Sequence, residues 1–144
     1  MQEQLMQFII HHWFLWLAFA IVIILVILEE MRSKFNAVPA ISAQELTMLL
    51  NHEEATLIDI RSRELFQKEH ILNAQNIPIS GNDIAELQNK LQSKKDQALV
   101  LVDSIGSNAT TVATKLRTQG FLKIKILEGG MSAWKKAELP TTNR

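Results

Sequence analysis

The chain of 144 residues contains no cysteine. That absence excludes disulfide bonds, thiolate catalysis and cysteine metal sites together. It leaves the compartment open, because reducing and oxidising spaces both hold cysteine-free proteins. Net charge is missing too: 15 Lys and Arg balance 15 Asp and Glu. A nucleic-acid binder would carry a basic surplus, so no nucleic-acid partner is expected. The sequence also lacks internal repeats, low-complexity tracts, the spacing of a Walker A loop and any GxGxxG turn.

Charge is absent locally as well. Phe8 to Leu28, FIIHHWFLWLAFAIVIILVIL, has no charged residue. As a helix it would be roughly 31 Å long at about 1.5 Å per residue, which matches a hydrocarbon core of about 30 Å. A cleaved signal peptide would need a basic start and a small-residue cleavage site. MQEQLMQ has no Lys or Arg, and VILEEMRSK offers no such site. The expectation is a short tail over residues 1–7, a retained transmembrane helix over 8–28, and a juxtamembrane linker over 29–40. Arg32 and Lys34 follow the span and no basic residue precedes it. The positive-inside rule then puts the C-terminal domain of a single-pass protein in the cytoplasm. Trp13 and Trp16 suit an interfacial belt. His11 and His12 are no metal site, because adjacent helical residues face apart and a site needs more ligands. No metal or other cofactor is expected.

The remainder alternates helix and strand signals. In ISAQELTMLLN, Ser42 and Glu45 have capping-box spacing, and Ile41 can staple onto Leu46. TLIDI, Thr56 to Ile60, is a short apolar strand. Ser62 caps a helix through RELFQKE. NIPI is extended, because Pro78 disfavours helix at Ile77. Ser80 opens a helix over GNDIAELQNKLQ with Ile84, Leu87 and Leu91 on one side. ALVLV, Ala98 to Val102, is apolar throughout, as in a strand covered on both faces. The next helix places Ala109, Val112, Ala113 and Leu116 on one face, and Gly120 stops it. LKIKIL alternates, with Lys123 and Lys125 outward, as in a strand nearer an edge. Gly129 and Gly130 turn into a last helix whose Trp134 is core. QSKKDQ, with Lys94 and Lys95, reads as a solvated turn; contact with anionic lipid headgroups is its other reading. The fold class is α/β, with a mostly parallel sheet flanked by helices. Its functional loops follow Ile60, Val102 and Leu127 along one sheet edge.

The loop after Val102, Asp103-Ser104-Ile105-Gly106-Ser107-Asn108, has the form of an anion cradle. A strand-to-helix loop aims backbone N–H groups at one spot, and the helix dipole adds positive charge there. Gly106 lets the chain turn, and Ser107 or Asn108 can cap the helix. The first loop residue is already an anion.

Three stretches resemble the rhodanese family. TLIDIRSRELFQKEHILNAQNIPIS is similar to its D-x-R, helix, G-H-I-x-x-A-x-N-I-P pattern. His70, Ile71, Ala74, Asn76, Ile77 and Pro78 match, and Glu69 replaces the glycine. ILEGGMSAW resembles G-G-x-x-A-W. VLVDSIGSNAT lies where that family has its active-site loop, C-x-x-G-x-R-S. The resemblance runs from roughly Ile41 to Pro140, giving a domain over 41–140 and a tail over 141–144. It resembles in particular the membrane-anchored single-domain rhodanese-like proteins of Gram-negative bacteria, which implies the inner membrane.

The resemblance puts Asp103 on the family's catalytic cysteine, Asn108 on its arginine and Ala109 on the following serine. Sulfur transfer in that family needs a thiolate that holds a persulfide, and a hard carboxylate cannot form one. No catalytic residue is therefore expected, and Asp103 is read as a built-in anion filling the cradle. The other reading leaves Asp103 pointing to solvent or capping the helix from outside the loop. Phosphoaspartate chemistry is set aside, since no second acid lies near Asp103 to help hold Mg²⁺. Asp59 and Arg61 match D-x-R. They would line the pocket rim or pair with nearby groups at the strand end. His70 reads as a hydrogen-bonded structural histidine. The function that follows is a membrane-tethered, catalytically inactive interaction module, anchored in the bilayer through Phe8 to Leu28 and bound to another membrane or membrane-associated protein. The alternative is a sulfur-relay or small-ligand-binding protein that uses the same loop, with a partner supplying the thiol.

Overall fold

A computed structural model describes residues 13–52, 54–80 and 84–143. The chain divides into a helical N-terminal unit ending at Ala37 and a second unit starting at Val38. The expected tail over 1–7, residues 8–12 of the expected span, and with them His11 and His12, lie outside the described residues.

The first unit contains α1, Trp13–Asn36. Its segment Trp13–Met31 is long and apolar enough to cross a membrane. Apolar side chains are exposed all round it, the pattern of a helix with no single core-facing stripe. The helix runs past the expected end at Leu28. Residues 29–36 of the expected linker are therefore helical, since no Gly or Pro interrupts them before Pro39.

The second unit is a five-stranded, all-parallel sheet with helices on both faces. Its strands are β1 (Ala40–Ile41), β2 (Thr56–Asp59), β4 (Gln75–Asn76), β5 (Leu99–Val102) and β6 (Ile124–Leu127). Their order is β1-β6-β5-β2-β4. The central strand β5 is buried at every residue, as its unbroken apolar run requires. Alternate side chains sort into two cores. Ile58, Leu99, Leu101 and Ile124 pack against α4 (Ala85–Leu91) and α5 (Ser107–Thr118). Leu57, Val100, Val102 and Leu127 pack against α2 (Ala43–Asn51) and α6 (Gly130–Lys136). Between β2 and β4 lie α3 (Arg63–Lys68) and β3 (His70–Ile71).

Local chemistry sets the helix starts. Ser42 Oγ accepts the Glu45 N–H at 3.2 Å, and Ile41 and Leu46 are buried in the same core, as a hydrophobic staple demands. Ser62 Oγ accepts the Leu65 N–H at the head of α3. Ser80 does not open α4. That helix starts at Ala85 with Ile84 at its cap and no side-chain cap bond, while residues 81–83 lie outside the described set.

Three short strands, β1, β3 and β7 (Thr141–Thr142), escape the sequence reading. β1 comes from the end of the expected linker and pairs with β6, Ala40 opposite Ile126. β7 comes from the expected C-terminal tail and pairs antiparallel with β3. β6 is therefore one strand in from the edge, with β1 outside it. Leu122 does not join the inward alternation; it is 69% exposed, and Phe121 is buried instead.

Candidate functional site

The site is built where β5 ends. Val102 is the last strand residue and Asp103 follows it, 5% exposed. The Asp103 carboxylate turns back into its own loop. Oδ1 accepts the Gly106 N–H. Oδ2 accepts the Asn108 N–H at 2.9 Å and the Ala109 N–H at 3.2 Å. These donors are the mouth of α5, so a full negative charge sits at the positive end of the helix dipole. Asp103 does not point to solvent.

This arrangement corrects the expected caps. Ser107 and Asn108 are the first residues of α5, and neither side chain caps it. The cap position is Gly106, in the left-handed region at φ 95°. The capping oxygens come from Asp103, outside the helix. Ser104, Ile105, Ser107 and Asn108 are exposed around this centre. Asn108, at the position of the family's arginine, contributes its backbone N–H to the carboxylate.

A second segment locks the loop from behind. The Asp103 carbonyl accepts the Met131 N–H at 2.9 Å, and the Ser104 carbonyl accepts the Ser132 N–H at 3.1 Å. Gly130, at φ 56°, lies so close that a Cβ there would stand 2.5 Å from the Asp103 carbonyl oxygen and 2.8 Å from the Ile105 nitrogen. This packing accounts for the paired glycines of ILEGGMSAW. Sequence reasoning found those glycines only as a motif and missed their contact with Asp103. The one available signal was their place at the end of a strand neighbouring β5.

Asp59 and Arg61 do not form an open rim. They are 1% and 8% exposed and bind each other. Arg61 Nε donates to both Asp59 oxygens at 3.0 Å, and Nη2 donates to Oδ2 at 2.6 Å. Nη2 also donates to the Glu69 carbonyl at 2.8 Å. Asn76 Nδ2 donates to the carbonyls of both Asp59 and Arg61. The D-x-R and N-I-P stretches thus fasten β2, β4 and the turn before β3 together.

His70 is buried, with Nδ1 2.8 Å from the Phe66 carbonyl and its ring stacked on Phe66. Glu69, where the resemblance expects glycine, has extended backbone at φ −167°, which any residue adopts. Its carboxylate takes a hydrogen bond from Lys135 at 2.5 Å, which holds its pKa below the ordinary carboxylate value. Trp134 is core, and its Nε1 donates to the Pro140 carbonyl. Among the described residues no group of three or more His, Asp or Glu could hold a metal ion.

The geometry fixes what the loop can do. Three converging N–H groups suit an anion, and the carboxylate already satisfies them. A hard oxygen anion there can neither attack sulfane sulfur nor store it. Its role is to hold the loop, and that is measurable. Asp103→Ala should cost about 2–3 kcal/mol, because it leaves buried N–H donors without an acceptor. Asp103→Asn should recover part of the loss. Denaturant unfolding of the detergent-solubilised chain at neutral pH reads both; an alanine variant of unchanged midpoint refutes the structural role.

Comparison with known proteins agrees with this architecture. The model of the rhodanese-like domain matches residues 42–137. The uncharacterized protein YibN of Escherichia coli (strain K12) is 30% identical over 141 residues, covering 96% of each chain. Thiosulfate sulfurtransferase GlpE of Vibrio cholerae is 29% identical over 92 residues, 64% of this chain and 83% of that one. Among solved structures, a rhodanese-related protein from Thermoplasma volcanium superposes with a TM-score of 0.60 at 25% identity, covering 74% of this chain and 99% of that one. With two thirds of its length matched by that model and a relative aligned nearly end to end, the chain belongs to the rhodanese-like domain family.

Proposed function

We propose that this chain is a single-pass membrane protein whose cytoplasmic rhodanese-like domain is catalytically silent and binds another membrane or membrane-associated protein. The observation that carries the reading is the Asp103 carboxylate bonded to the N–H groups of Gly106, Asn108 and Ala109. The family's catalytic position is filled by a group that cannot carry sulfur, on a chain without cysteine. What the fold retains is a rigid loop with an exposed neutral surface, which suits contact better than chemistry. A carrier that used the same loop, alone or with a partner's thiol, would need those N–H groups unoccupied.

The apolar helix supports the tether, and Arg32 and Lys34 support the cytoplasmic orientation. Anchoring raises the domain's effective concentration near membrane-bound partners. Crosslinking in intact native membranes should recover a specific partner, and deleting residues 1–28 should abolish that recovery. Equal recovery with the truncated chain overturns the tethered reading. Recovery that survives replacement of the whole 103–108 loop by a glycine-serine segment shows that the loop is not the contact.

A further inference from the structure

The edge of the sheet opposite the Asp103 loop carries a different surface. In a parallel sheet all strands start along one edge. Thr56, Leu99 and Ile124 are in register there. The Leu99 N–H donates to the Lys123 carbonyl, and the Ile126 N–H donates to the Pro39 carbonyl. Val38 and Pro39, where the chain enters the domain, precede β1 and lie level with Ile124 and Lys125 at the start of β6.

Basic side chains gather here. Lys123 is exposed. Lys95 lies over the Phe121 ring at 5.8 Å and against Gly120. Lys94, half-buried, closes the short 3-10 turn that leads toward β5, and its Nζ donates to Gln75 Oε1 at 3.0 Å. Lys115 and Arg117 end α5 at the same side. Among the described residues, Asp96 and Glu54 are the exposed acids nearby in the chain. Leu122 projects beside Lys123, 69% exposed. An isolated exposed leucine needs no explanation, but one set among lysines is the usual composition of a surface that meets anionic lipid.

The connection is short in sequence: six residues, 32–37, separate the end of the apolar segment at Met31 from Val38.

We propose that the edge bearing Lys94, Lys95, Leu122 and Lys123 docks on anionic lipid headgroups, with Leu122 inserted among them, so that the 103–108 loop faces away from the membrane. This rests on the membrane-tether reading. The cytoplasmic leaflet carries the anionic lipid that such an edge would meet. The attraction is electrostatic and acts over about a Debye length, near 8 Å at physiological salt.

The cysteine-free chain allows a clean test. Single cysteines at exposed positions, Gln97→Cys on the basic edge and Glu128→Cys on the opposite one, are labelled with a fluorophore on the full-length protein. The protein is placed in vesicles whose headgroups carry a nitroxide quencher. With phosphatidylglycerol present, the probe at 97 should be quenched about fivefold more than the probe at 128. The contrast should vanish in purely zwitterionic vesicles, and in the variant carrying both Lys94→Glu and Lys123→Glu. Equal quenching at the two positions in anionic vesicles overturns the docking while leaving the tether intact. Failure of the full-length chain to co-float with vesicles removes the tether and the docking together.

Discussion

Asp103→Cys is expected to create thiosulfate:cyanide sulfurtransferase activity. The wild-type protein should produce thiocyanate no faster than a protein-free blank. In the variant, sulfur would stand close to where the carboxyl carbon of Asp103 stands, facing the N–H groups of Gly106, Asn108 and Ala109. Those donors and the start of α5 favour a thiolate over a thiol. The thiolate attacks the sulfane sulfur of thiosulfate, the S–S bond breaks, and sulfite leaves with the bonding pair. Cyanide then takes the sulfane sulfur as thiocyanate and returns the thiolate. A gain of about 10²-fold over the blank, the worth of a single preorganised N–H donor, is the minimum expected. Asn108→Arg added to that variant should raise the rate further, because a cation beside the loop attracts the thiosulfate dianion. Asp103→Ser, with the same donors and no sulfur, should stay at the blank. Thiocyanate production by the wild-type chain above the blank would sink the silent-domain reading. A folded cysteine variant that reacts with no sulfane donor would show that the loop has lost more than its nucleophile.

The second large effect concerns Asp59. Asp59→Ala removes the carboxylate that faces the Arg61 guanidinium and leaves, among the described residues, a buried cation with the Glu69 carbonyl as its remaining acceptor. Breaking one partner of a buried pair costs about 3–5 kcal/mol. For a domain near 100 residues that corresponds to a fall in Tm of roughly 15–30 °C. Joint replacement, Asp59→Leu with Arg61→Met, should recover most of the loss, since neither charge is then stranded. Thermal unfolding of the full-length protein in nanodiscs, followed by circular dichroism, separates the cases. A single variant within a few degrees of wild type would mean that water reaches Arg61 and the pair is not buried in solution.

How far the sequence disclosed this structure depended on the length of each signal. β5 announces itself because Ala98 to Val102 is apolar at every position, and α5 because Ala109, Val112, Ala113 and Leu116 recur at helical spacing. The start of α2 is legible because Ser42, Glu45, Ile41 and Leu46 all agree on it. β1, β3 and β7 are two residues each. Two residues have no periodicity, and only tertiary pairing makes them strands. Capping escapes the local pattern where the capping group is not the helix's own neighbour. Ser107 and Asn108 have the right chemistry, but Asp103 reaches the same N–H groups from upstream with a full charge. Asp59 and Arg61 were legible as a motif at a strand end. Their mutual burial was not, because pattern alone does not separate a residue facing a pocket from one facing its partner.

The carboxylate in the loop has one further bearing, on chemistry the domain escapes. A low-pKa thiolate at that position would be open to peroxide, passing to sulfenic and then irreversible sulfinic acid. Asp103 has no such states. The loop is therefore closed to thiol oxidation at this position, and the three N–H groups keep the same acceptor whether peroxide is present or not.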